Sequence, residues 1–546
     1  MKNRRPCLRI VLVFAIVAML FTLPLGGLAE EKNDTFNMIF WGVVSLNPAR
    51  AQTRTDFNVM YLLQTQLVRF YGSQIQMDAA SSFEKNEDGT RYVFHLREGL
   101  KWENGDALTA RDFEYGAYCV LSPDMGSPKA SSFYEIKNAK AFAAGEDGDW
   151  SHVGIRATDE LTLEIELEYG VQDYEKTLAS KHLYPMNQVF VEAIGIDAVG
   201  ANLETTLCSG PYRVAEWRPE DLLRLEKNED YWDSAASFPT KTINLMQVTD
   251  DNAMISMFER QEADAIIQIA SDYYALFDEY AYKGASGRIQ YLWLNEHGMR
   301  EETAALMGNQ NFRKALSYAI DRTEIVNAIN IANEPCSRMI SAAFAAPSGN
   351  AWVEEYPVDS APLTADAEKS KAYLEAALEE LGYASVDELP ELLLMTYEDL
   401  PQKQECELII DQWKKTLGLT KVKMVSYAVG TAISNFYQLN YDIFSIAWET
   451  EVRPTDAMRS FMTGGTANAG IWSNPEYDAL LEASLKESDP EKAAELAWQA
   501  EQLFNDEVPM IPLYERHFES LVQPYVTGYQ LGFVDGMEFN ELTVSR

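Results

Sequence analysis

The sequence predicts a mixed α/β protein with more than one domain, and three observations point there. The 546 residues, 47% hydrophobic and 24% charged, hold enough apolar material for two or three sizeable cores. Before about residue 200 the pattern is of strands and loops. After about residue 300, apolar stripes at helical spacing alternate with short apolar runs, as helices and buried strands do. The 28 Tyr, 24 Phe and 11 Trp exclude a disordered chain.

The first 29 residues stand apart. Lys2, Arg4, Arg5 and Arg9 make a basic start, residues 8–25 are almost wholly apolar, and Gly27-Leu28-Ala29 offers small residues for cleavage. This is the pattern of a secretory signal peptide, with an uncleaved anchor as the rival reading. The expected destination is across the plasma membrane, in the periplasm or on the outer face of the envelope. No cysteine follows Gly26 at the cleavage site, so no lipid anchor is expected.

Further along, Tyr92-Val93-Phe94-His95-Leu96-Arg97 has the aromatic density of a strand ending at Glu98-Gly99. Asn104-Gly105-Asp106 reads as a turn. Thr109 and Asp112 then open a helix, the hydroxyl capping free N–H groups and the carboxylate sitting at the positive end. In the second half, Phe312, Ala315, Leu316, Ala319 and Ile320 form one stripe. Leu374, Ala377, Leu378 and Leu381 form a second, stopped by Gly382. Cys406, Ile409, Ile410, Trp413 and Leu417 end likewise at Gly418, and Asp489-Pro490 opens another helix. Residues 392–395 and 441–448 are apolar runs suited to buried strands.

Removing the leader takes away four cations and no acid, moving the formal net charge from −39 to −43. Such a surface repels nucleic acid and anionic lipid, so neither is an expected partner. Outside the leader's Cys7, the cysteines are Cys119, Cys208, Cys336 and Cys406. Their wide spacing fits no zinc site, and buried free thiols are expected, although three pairings are open to them. The five histidines, His95, His152, His182, His297 and His517, show no metal-ligand spacing, and no nucleophile elbow or phosphate loop is present. The reading is therefore of a non-enzymatic protein that needs no cofactor.

Three stretches resemble the family-5 extracellular solute-binding proteins, the peptide and oligopeptide receptors of ABC importers. From Tyr92, YVFHLREGLKWENGDALTARDFEYG follows the family pattern of an aromatic strand with H-L-R, then K-W, N-G-D and T-A-x-D-F. From Ser209, SGPYRVAEWRPEDLLRLEKNEDYWD is similar to its G-P-Y and Y-W segments, and FRKALSYAIDR from Phe312 to its R-x-A-L-x-x-A-I-D-R. With the Leu46-Asn47-Pro48 turn and a return strand over residues 508–513, the likeness spans most of the chain. These motifs serve caps, turns and packing: Asp112 caps, Trp102 and Trp217 pack, and Arg97 pairs on the surface.

The resemblance implies a periplasmic-binding-protein-like, two-lobed fold of the large peptide-binding type with an extra domain. Domain I would comprise 36–66, 205–290 and 512–546, domain II 67–204, and domain III 291–511. Ligand would be enclosed between domains I and III, and the protein, a monomer, would deliver it to an ABC transporter permease.

In peptide receptors of this family, an Asp shortly after a strand ending in G-W meets the ligand's amino terminus. Here Trp448 matches that tryptophan and Glu451 falls where the Asp is expected. The segment before Pro454 is one residue shorter than usual, which leaves Glu449 as the alternative. Tyr427 corresponds to a wall aromatic upstream, and the hinge strand offers Tyr291 and Trp293. Core packing competes with a pocket role for Trp448, Tyr427 and Trp293, and Glu451 could instead pair with Arg453. Relatives with a disulfide across domain III carry Cys beside the tryptophan. Glu449 stands there instead. A nickel complex, an oligosaccharide or another solute would fit the same fold, and a secreted sensor presenting ligand to a signalling partner is a further alternative.

Overall fold

The computed structural model describes residues 34–546 apart from 52, 72–73, 172, 182, 268, 330–331, 450–452, 466–467, 469–470, 488 and 533–535. The leader over 1–29 and Glu451 lie outside the described residues. Three sheets organise the chain into two lobes and an additional domain.

The first lobe is built on a seven-stranded mixed sheet. Its central strand Thr35–Ile39 runs parallel to both Thr242–Met246 and Ala265–Ile266. Strands Leu222–Lys227 and Tyr212–Arg218 continue it antiparallel on one side, and Ser520–Val522 and Ala281–Tyr282 on the other. Period-two alternation puts Phe36 and Met38 into one apolar cluster with Ile243 and Leu245. Ile39 and Ile266 join a second cluster against helix Asp251–Glu259.

The additional domain holds a four-stranded antiparallel sheet, Ala80–Lys85, Arg91–Leu96, Thr162–Glu166 and Ile155–Ala157 in that order. Tyr92, Phe94, Leu163 and Ile165 pack on Phe113 and Ala117 of helix Ala110–Leu121. The helix opens where expected, and does so with a capping box: Asp112 Oδ2 accepts from the Thr109 backbone N–H at 2.7 Å. Asp112 Oδ1 also accepts from the Trp102 indole at 3.4 Å, and Gly105 takes φ +90° in the expected turn.

The second lobe has a six-stranded sheet. Leu392–Tyr397 runs parallel to Val422–Tyr427 and Ile443–Glu449, and Ala285–Leu294 lies antiparallel between the last of these and Met510–His517. One face, with Ile289, Tyr291 and Trp293, packs on Phe436, Phe461 and Phe504. The other, with Leu292 and Leu294, packs on Phe312, Ile409 and Trp413. The expected helix stops are observed: Gly382 and Gly418 take φ +76° and +72° after helices Ala367–Leu381 and Leu400–Leu417. Asp489 caps helix Pro490–Glu507 through the Glu491 and Lys492 N–H groups.

Strands Ala285–Leu294 and Met510–His517 continue from the first lobe's sheet through residues 283–284 and 518–519. The boundaries expected at 290/291 and 511/512 fall inside these two hinge strands. Ser286 Oγ donates to the Arg516 carbonyl at 2.6 Å, and Arg54 donates to the Ser286 carbonyl at 2.6 Å while lying over the Phe518 ring.

Several expectations need correction. Helices Arg54–Leu63, Tyr174–Lys181 and Gln188–Ile194 occupy a region that reads as strands and loops. Residues 58–63 are all buried, so the first of these has no polar stripe along that part to betray its period. Arg97 donates to the Asp78 carbonyl and stacks 3.6 Å over Trp232 rather than forming an ion pair. The return strand begins at Met510, because Val508, at φ +50°, terminates the preceding helix. The expectation of buried free thiols holds for Cys119, Cys208 and Cys406, and needs correcting only at Cys336, a free thiol that is half-buried.

Candidate ligand-binding crevice

Strand direction locates the site. In the first lobe, Tyr282 pairs with Ser520 at the hinge end, and the registers Ile266↔Leu521 and Ile39↔Ile266 place the carboxyl ends of the parallel strands there too. In the second lobe the hinge end is marked by Ala285↔His517. Arg288↔Glu449 and Tyr397↔Tyr427 bring three more carboxyl ends to that side. Open α/β sheets bind ligands in the crevice beyond the carboxyl ends of their strands. Here both sheets direct those ends at the hinge, so the two crevices share one mouth.

On the second lobe the mouth is aromatic. Tyr397 and Tyr427 close adjacent strands as register partners, both half-buried. Trp448 lies one residue from the end of its strand, also half-buried. Behind it Trp293 is wholly buried, with centroids 5.3 Å from Trp448, 4.9 Å from Phe436 and 5.9 Å from Phe461. Its indole N–H has no acceptor among the described residues. Tyr291 is buried beside it, donating to the Met339 carbonyl at 3.3 Å, and burial lifts its phenol well above the usual tyrosine range. Of the five residues expected at the site, Trp448 and Tyr427 thus lie at the mouth, while Trp293 and Tyr291 back it from the core. Glu451 lies outside the described residues, as does the side chain of Glu449, whose backbone is in register with Arg288.

Sequence reasoning missed the first lobe's contribution. After strand Thr35–Ile39 the chain turns at Gly42, φ +90°, and leaves Trp41 and Val44 exposed beside the crevice. Asp56, buried in the first turn of helix Arg54–Leu63, fixes this loop: Oδ1 accepts from Val44 N–H at 2.7 Å and from Ser45 N–H at 3.0 Å. The same carboxylate completes a capping box with Thr53. Thr53-x-x-Asp56 was the local signal available for it.

A buried carboxyl supports the hinge strands. Glu405 accepts from Gln290 at 3.3 Å on one hinge strand, from the Tyr514 hydroxyl at 2.6 Å on the other, and from Ser445 on the strand of Trp448. Burial raises its affinity for a proton, against those three hydrogen bonds and the charge of Arg516. Among the described residues no group of three or more His, Cys, Asp or Glu is placed to hold a metal ion.

Two α/β lobes joined by a pair of strands, with a shared crevice at the hinge, define a ligand-enclosing binding protein. The chain belongs to the bacterial extracellular solute-binding proteins, family 5, matching that family over residues 74–470. Its members are binding receptors, not enzymes, and those named as periplasmic place this chain outside the cytoplasm. It is 28% identical over 532 residues to the oligopeptide-binding protein OppA of Bacillus subtilis, covering 94% of each chain. It is 26% identical to the probable deoxycholate-binding periplasmic protein YgiS of Escherichia coli, covering 89% of each. The fold is similar to that of Listeria monocytogenes OppA bound to peptide, with a TM-score of 0.73, 22% identity, and coverage of 94% of this chain and 99% of that one.

Proposed function

We propose that this protein is the peptide-capturing receptor of an ABC importer, working as a monomer. Its leader over 1–29 is removed on secretion, and it delivers its cargo to a membrane permease. The observation that carries this reading is the aromatic mouth at converging strand ends, in a family whose relatives are named for oligopeptides and dipeptides.

An extended peptide presents the same backbone N–H and C=O groups whatever its sequence. Loops at strand ends can pair with those groups and leave side chains in roomy, wet space. Tyr427 and Trp448 supply flat apolar walls, with Tyr291 and Trp293 holding Trp448 in place from behind. Glu451, or failing it Glu449, supplies the negative charge that an enclosed ammonium group requires. Closure about the two hinge strands follows because ligand contacts to both lobes form together only when the crevice shuts.

Native mass spectrometry of gently purified protein tests the reading, since an enclosed ligand survives purification. Excess mass that is released on unfolding and fragments as a peptide is the expected result. A retained steroid acid would favour a second reading, for which a relative of similar identity is named and to which a flat aromatic wall is equally suited.

A further inference from the structure

The segments that form the crevice rims differ from the rest of the chain in charge. Asp, Glu, Lys and Arg make up 24% of the sequence, yet none occurs over residues 35–49 or over residues 424–441. Buried strands account for part of each run, and the rest is wet. In the first run Trp41 is 41% exposed and Val44 79%. In the second Val429 is 61% exposed, and Ala428, Thr431 and Ser434 are exposed with it. A helix that faces water ordinarily carries charge on that face, as Ala367–Leu381 does with Glu368, Lys371, Glu375 and Glu379. Helix Val429–Tyr437 carries none.

Both uncharged surfaces sit at the mouth. Phe40 N–H donates to the Met246 carbonyl at 2.9 Å, so the loop of Trp41 and Val44 leaves from the carboxyl ends of two parallel strands. Asp56 holds Val44 there, and Arg54 on the same helix ties that helix to the hinge strand at Ser286. On the second lobe Val429 follows directly on Tyr427-Ala428, and Leu400, also exposed, follows shortly after Tyr397, the register partner of Tyr427. The charges beside Leu400 are both acids, Glu398 and Asp399. Single exposed apolar side chains are ordinary on a protein surface, whereas a neutral, apolar rim on each side of one crevice marks a binding surface. We propose that these rims select cargo by its side chains, holding peptides with apolar side chains more tightly than those with charged ones, and acidic ones least. The proposal rests on the peptide reading above and adds a side-chain class to it. Backbone pairing discriminates no sequence, but an apolar side chain enclosed by Trp41, Val44 and Val429 takes both its own surface and theirs out of water. A charged side chain in the same place loses hydration and meets no opposite charge on either uncharged run.

Calorimetry on ligand-stripped protein tests it, with trialanine and with peptides in which Leu, Glu or Lys replaces Ala at each position in turn. At one position or more, Leu should improve affinity about five- to fiftyfold over Ala. Glu and Lys at that position should bind more weakly than Ala, Glu the more so. Val44→Ser and Val429→Ser change exposed side chains and leave the fold intact. Each should cut the Leu preference at least about threefold while trialanine stays within about twofold. Three results would each overturn the proposal: a Leu preference under about twofold at every position, a preference unmoved in both variants, or equal losses for trialanine and the Leu peptides. The last is what rims that only meet one another on closure would give. If no peptide binds, the peptide reading fails, and the neutral apolar dye N-phenyl-1-naphthylamine decides the rims separately. Dye fluorescence that rises with the wild type and falls in both variants supports selection of apolar cargo; dye that does not bind, or that ignores both substitutions, contradicts it.

Discussion

The Trp448 ring lies 5.3 Å from that of Trp293, centroid to centroid, with the planes inclined at 51°. Trp293 is wholly buried and Trp448 half-buried, so the inner ring holds the outer one against the crevice. This separates two roles that tryptophan plays.

The first prediction follows from that separation. Trp448→Ala should weaken ligand binding at least about tenfold, since aromatic anchors in such sites dominate affinity. Trp293→Phe, which leaves an aromatic ring under Trp448, should cost about 1–3 kcal/mol of stability and change affinity far less. Calorimetry and urea unfolding on both variants give the comparison. If Trp293→Phe lost as much affinity as Trp448→Ala, the two rings would form one binding surface.

The second concerns the loop of Trp41 and Val44. Asp56→Asn keeps the size of the side chain but replaces a carboxylate that accepts from Val44, Ser45 and Thr53 N–H groups. A loss of about 1–3 kcal/mol is expected, together with weaker ligand binding as the loop loosens. Thr53→Ala should cost about 1 kcal/mol through the helix cap alone and leave affinity intact. Equal affinity in all three proteins would remove this loop from the site.

The third is a pH dependence. Burial pushes the Glu296 carboxyl up to about 7, against the nearby Arg313 guanidinium at 3.0 Å and with some help from Glu507. Between about pH 4.5 and 7 the unfolded chain has lost this proton while the folded protein keeps it. The folded state binds more protons there, so stability falls as pH rises through that window. The urea midpoint should decline from pH 5 to pH 7.5, and Glu296→Gln should decline less. Parallel curves would show that Glu296 carries no such linkage.

What could be read from the sequence was chemistry confined to a few neighbouring residues. The capping box of Thr109 and Asp112, the stops at Gly382 and Gly418, and the Asp489-Pro490 start each depend on side chains within one helical turn of the backbone they satisfy. Helix Arg54–Leu63 was hidden because hydrophobic periodicity needs a wet face, and residues 58–63 have none. Trp448 and Tyr427 could be named by resemblance. Strand alternation alone could not say whether the face shared by Tyr291 and Trp293 lies toward ligand or core. Phe436 and Phe461, which pack on Trp293 behind the crevice, come from other elements and carry no mark of their destination. Arg459 donates to the Tyr169 hydroxyl at 3.1 Å across 290 residues of sequence, a contact with no local signature at all.

The most direct measurement is a calorimetric cycle on Glu451, the acid proposed to meet a peptide's amino terminus in the crevice beyond Trp448. Wild type and Glu451→Gln are each titrated with trialanine and with N-acetyl-trialanine. Removing one member of an enclosed charge pair typically costs about 2–5 kcal/mol, or roughly 30- to several thousand-fold in affinity. Trialanine should bind the wild type and lose affinity by that order in the variant, whereas the acetylated peptide should bind weakly to both and lose far less. Such non-additivity is the coupling between carboxylate and ammonium. Equal losses for the two peptides would take Glu451 out of that role and pass the test to Glu449. Silence at both acids, with binding still abolished by Trp448→Ala, would contradict capture of a peptide amine in this crevice.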